Sequence, residues 1–159
     1  MRTRFSSVLL ATALGTAACG GDGSTGPDTP TFESIAGSYA GSMVGVSQGV
    51  ALDADFGLTI TQSSSALSGS YSISGTLTDG IDVVTVQGTG VLTGAIEAGD
   101  NPSVNITVTP GACPTESAQF SGTYDSANQR LTLTGPVEFF GVGTCDVVLS
   151  YPMTIILNR

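Results

Sequence analysis

The chain of 159 residues sets thirteen Asp and Glu against four Lys and Arg, with no histidine, for a formal charge of −9. It has no lysine and no basic cluster, so nothing can replace the counterions of nucleic acid, and purely electrostatic attachment to anionic lipid is equally disfavoured. Without histidine there is no serine triad and no imidazole proton shuttle.

Arg2 and Arg4 form a short basic start, and residues 5–18 are uncharged and rich in Leu, Val, Ala and small residues. That is the order of an export signal. The apolar run is shorter than the about 20 residues a helix needs to cross a hydrocarbon core, so no permanent transmembrane helix is expected there. Thr16, Ala17 and Ala18 lead into Cys19. Small residues running into a cysteine resemble the lipobox of bacterial lipoproteins, with Thr16 where that family prefers leucine. The resemblance implies a signal peptide at 1–18, lipidation of Cys19 and attachment to a membrane through that lipid. Gly20 in the following position implies the outer membrane of a Gram-negative cell. Ordinary cleavage after Ala18 also fits, and would leave a free thiol. Residues 19–33 read as a tether, made flexible by Gly and Ser and kept extended by Pro27 and Pro30. A single domain then occupies 34–159.

After cleavage only Arg130 and Arg159 face the thirteen carboxylates, a side-chain charge of −11. Two cysteines remain, Cys113 and Cys145. An even pair in an exported chain reads as a disulfide, and a loop of this length would contribute about 3.5 kcal/mol in the chain-entropy model. Zinc is the weaker reading, because two thiols without histidine do not complete its coordination.

Apolar residues alternate along the rest of the chain. Ile35, Tyr39 and Met43 come first, then Phe56, Leu58 and Ile60, then Leu67, Tyr71 and Ile73. Val84, Val86, Leu92 and Ile96 follow, then Val104, Ile106 and Val108, Phe120 and Tyr124, and Leu131 and Leu133. The longest stripe runs from Val147 to Leu157. Eight strands are expected, joined by short connections at 63–65, 78–80, 97–101 and 126–129 that suit antiparallel hairpins. Eight such strands can close into an up-and-down β-barrel without exposed edges. In IAGSY (35–39), LSGSY (67–71), LTGAI (92–96) and FSGTY (120–124), glycine separates two large inward residues. In a curved sheet such a glycine lets the strand bend and leaves room for a large side chain opposite.

GSY (37–39), FGLTI (56–60) and ALSGSY (66–71) resemble the opening strands of avidin-type and, more loosely, lipocalin-type barrels, which share the calycin architecture. Tyr71 matches the avidin tyrosine that hydrogen-bonds biotin. Tyr39 stands where both families usually have tryptophan, Gly41 where avidin's asparagine is expected, and Ile73 where its serine is expected. With no Trp in the chain the aromatic walls of a biotin site are missing, so biotin is not the expected ligand.

Carboxylate pairs remain as potential acid–base chemistry. Asp53 with Asp55 and Asp79 with Asp82 are the candidates, and also the weak candidates for Ca²⁺, since they lack the spacing of an EF-hand loop. The odd-numbered connections of an up-and-down barrel share one end. That end is expected to gather Asp53, Asp55, Asp79, Asp82, Glu116, Glu138 and Asp146, without a base, and to suit solubility, Ca²⁺ or a cationic partner. Phe139 and Phe140 cannot both face inward on a regular strand, so one is expected at the rim. The reading is a non-enzymatic envelope lipoprotein whose barrel binds a small apolar ligand or serves surface interaction. Tyr39, Tyr71, Tyr124, Phe139 and Phe140 are its candidate ligand or rim residues. The alternative is a carboxylate-based hydrolase.

Overall fold

The computed structural model describes residues 29–141 and 143–159. The signal, Cys19 and the tether up to residue 28 lie outside the described residues. Eight strands follow in order: β1 (Gly37–Ser47), β2 (Val50–Ser63), β3 (Ala66–Thr78), β4 (Val83–Ile96), β5 (Ser103–Pro110), β6 (Ala118–Asp125), β7 (Arg130–Phe140) and β8 (Val147–Asn158). Each pairs antiparallel with the next, and β8 returns to β1, closing the barrel in chain order.

Period-two alternation determines which side chains fill it. In β2, Leu52, Ala54, Phe56, Leu58 and Ile60 are buried while Asp53, Asp55 and Thr59 between them are exposed. Each inward Leu or Ile stabilises the fold by roughly 1.5–3 kcal/mol through burial. The outward face is polar, as Ser68, Ser70, Ser72 and Ser74 on β3 illustrate.

Closure is thinnest at the β1–β8 seam, where the ladder holds one pair, Ala40↔Asn158. Glycines on β1 let β8 come close there. A Cβ on Gly41 would strike the Ile156 carbonyl, and one on Gly45 would press on the Met153 methyl at 3.1 Å. Three of the four repeated glycines behave alike: at Gly69, Gly94 and Gly122 a Cβ would run into the backbone of the neighbouring strand, whereas at Gly37 it would meet the Arg159 side chain. At Gly90 and Gly135 a Cβ would meet the neighbouring strand's backbone and also the rings of Tyr71 and Phe120.

The end that carries the chain's entry is filled. Ile35 is fully buried, its N–H donates to Gln62 Oε1 at 2.8 Å, and Gln62 Nε2 donates to the Glu33 carbonyl at 2.9 Å. Phe32 also packs on the core, so contact with the barrel begins inside the stretch read as tether.

Two placements differ from the sequence expectation. The first connection is the two-residue turn Gln48–Gly49, both with positive φ (51° and 83°). Asp53 and Asp55 therefore lie on the outer face of β2 and not in a loop. Glu138 likewise belongs to β7, leaving Asp146 as the acid of the β7–β8 connection.

Candidate functional site

Strand length shapes the other end. β2, β3 and β4 run 14, 13 and 14 residues, whereas β5 and β6 have eight each. The β4–β5 ladder stops at Gly90↔Pro110, and the β6–β7 ladder spans Ser121↔Thr134 to Asp125↔Arg130. The wall is thus low over β5 and β6, between the upper parts of β4 and β7. The connections at 111–117 and 141–146 lie over this gap. Their turns are held by bonds from Glu116 N to the Cys113 carbonyl (3.0 Å) and from Gly141 N to the Asp146 carbonyl (3.0 Å). The Cys113–Cys145 disulfide joins the two, with Cα atoms 5.6 Å apart and Cys113 buried. The pairing matches the sequence expectation.

Beneath that strap is a cavity of about 1030 Å³, open at the mouth. That is at the upper end of the ~300–1,000 Å³ of small-molecule sites. Phe56 and Val108 form its floor, and Tyr71, Ile73, Leu77, Val84, Val137 and Phe139 stand among its walls. Tyr71, Ile73, Leu77 and Phe139 are only half-buried here, and Val84 is 57 % exposed although it faces inward. Gly88 contributes to the space. A Cβ there would meet only the Ile73 methyl, at 3.0 Å.

The aromatic candidates divide between the two halves. Tyr71 lines the cavity, its ring 6.0 Å from Phe56. Its hydroxyl makes no hydrogen bond among the described residues, and burial pushes its pKa up. Phe139 packs edge-on against Tyr151 at 5.8 Å, while Phe140 lines the mouth beyond a β-bulge between the two phenylalanines. That bulge satisfies the expectation of one phenylalanine at the rim. Tyr39 and Tyr124 lie in the filled half, ring to ring at 6.4 Å, outside the cavity. The Tyr39 hydroxyl donates to the Ile35 carbonyl at 2.9 Å. Burial, and then its neighbour Tyr124, drive its pKa far above the usual phenol range. Tyr151, on the inward stripe of the last strand as its alternation predicts, donates its hydroxyl to the Val50 carbonyl at 3.2 Å and ties β8 to β2.

The carboxylates form no metal centre: among the described residues no group of three or more His, Cys, Asp or Glu could hold an ion. Asp79 instead shapes its own loop. Its Oδ1 accepts the N–H groups of Asp82 (2.8 Å) and Ile81 (3.0 Å), bonds that hold its carboxyl below the usual range. At the filled end Asp125 accepts Asn128 N–H and Nδ2–H and pairs with Arg130 at 3.5 Å.

Fold and cavity together define a closed, eight-stranded, up-and-down antiparallel barrel with a small-molecule-sized pocket at one end, an architecture consistent with the calycin type. No family model matches the chain, and no curated protein or solved structure matches it significantly. The likeness to avidin- and lipocalin-type barrels therefore rests on architecture.

Proposed function

We propose that this is an exported, lipid-anchored envelope protein whose barrel holds a small apolar ligand in the mouth cavity. The observation that carries the reading is the cavity itself. An apolar, aromatic-lined space of this size in a barrel mouth is what small-ligand sites consist of. The direction of the chain supports the anchor. It enters β1 at the filled end, so a lipid on Cys19 leaves the mouth facing away from the membrane. A hydrolase receives less support, since Glu138 is the single carboxylate among the residues around the cavity, where a glycosidase-type mechanism needs two.

Filling the cavity tests the binding. Gly88→Leu projects a side chain into the pocket where only the Ile73 methyl must give way. It is expected to weaken uptake of the fluorescent apolar probe N-phenyl-1-naphthylamine at least ~10-fold, the effect of losing roughly 1.4 kcal/mol, with the melting temperature little changed. Equal uptake by the variant and the parent would overturn the site. The anchor has a separate test: Cys19→Ser should abolish metabolic palmitate labelling and release the protein from the membrane fraction, and persistent labelling would remove the lipid from the proposal.

A further inference from the structure

The cavity has an apolar body and an acidic opening, and the two call for different parts of one molecule. Glu138 lies at the cavity's edge on β7, in the outward phase between inward Val137 and Phe139; Asp82 precedes β4, whose Val84 lines the wall; Asp146 follows Cys145, which also lines it. Asp79 and Glu116 belong to connections at the same end. Among the described residues this end has no basic group. Arg130 opens β7 at the filled end, paired with Asp125, and Arg159 follows β8 there. Asp82, Glu138 and Asp146 are uncommitted, in that their carboxylates accept no hydrogen bond and form no ion pair among the described residues, unlike Asp79 and Asp125. The apolar surface meanwhile continues outward to the rim, where Ile81 is 91 % exposed and Val147 and Val148 about half.

We infer that the ligand class is a cationic amphiphile, with its tail between Phe56, Tyr71, Ile73 and Phe139 and its head at the rim by Glu138, Asp82 and Asp146. This rests on the reading of the cavity as a ligand site. Burying a charge in the apolar part would be costly, so the head stays where water and carboxylates meet. A rim that carries charge of one sign raises the local concentration of the opposite sign at the opening. The same field repels a fatty carboxylate. A neutral ligand would leave the acidic opening without a role in recognition.

Three amphiphiles sharing a dodecyl tail separate the possibilities, each titrated calorimetrically below its micellar concentration: dodecyltrimethylammonium, dodecanoate and tetraethylene glycol dodecyl ether. At low ionic strength the cation is expected to bind ~10-fold more tightly than the ether and more tightly still than the carboxylate, with the margin shrinking as salt screens the rim. Asp82→Asn, Glu138→Gln and Asp146→Asn together should erase the preference of cation over ether, and retained ether binding reports that the variant is folded. Equal binding of cation and ether by the parent, or an unchanged preference in the triple variant, would overturn the inference about the head and leave the cavity as an apolar site. Binding of none of the three would overturn both.

Discussion

Replacing Cys113 and Cys145 together by serine is expected to lower the melting temperature by roughly 10–15 °C. The magnitude follows from freeing the unfolded chain, since a loop spanning 32 residues of sequence separation costs about 3.5 kcal/mol to close, and 1 kcal/mol moves a domain of this size by roughly 3–4 °C. The position adds a local effect. β5 and β6 stop short, so the connections at 111–117 and 141–146 complete the wall where strands are missing, and the disulfide is their covalent link. The double variant should therefore also bind N-phenyl-1-naphthylamine more weakly than its stability loss alone explains. Scanning calorimetry of the oxidised parent beside the variant gives the result directly. A shift below about 3 °C would show that the bridge adds little beyond the ladders.

Gly122→Val is expected to be nearly as damaging, through the folded state. Gly122 faces inward on β6 opposite Leu133, and a Cβ there would overlap the Thr132 carbonyl and lie 3.0 Å from Leu133 Cα. The obstacle is backbone, so no rotamer change relieves it and β6 and β7 must separate. Overpacking of this kind costs about 1–3 kcal/mol and occasionally more, here at the top of that range, or roughly 10 °C. Gly88→Leu is the matched control, an inward glycine nearer the mouth whose Cβ would meet only the Ile73 methyl and no backbone. If the two variants melt together, inward glycines do not serve distinct roles in bending the wall and opening the cavity.

The barrel is legible because inward and outward positions alternate with a period of two, and most inward positions below the cavity carry a large apolar residue. Leu131 and Leu133, or Val104 and Ile106, mark the phase unmistakably. The eight strands, their closure and the disulfide followed from that phase and from short connections. Where inward positions are glycine the phase is silent. β1 continues through Gly41 and Gly45 to Ser47, and its outward Val44 and Val46 are exposed, so the turn at Gln48–Gly49 was missed and Asp53 and Asp55 were assigned to a loop. The cavity was less legible still. Tyr39, Tyr71 and Tyr124 all face inward, and nothing local distinguishes Tyr71, which has open space above it, from the two in the filled half. That difference comes from the height of the wall, set by where β5 and β6 end, which is a property of the assembled sheet.

The most direct measurement is native mass spectrometry of the protein purified from its own host. A ligand held in the mouth predicts a second, heavier species whose added mass disappears when the barrel is unfolded and is absent from Gly88→Leu prepared in the same way. A parent that flies at its bare mass, and takes up no N-phenyl-1-naphthylamine in solution, would contradict a ligand-binding barrel.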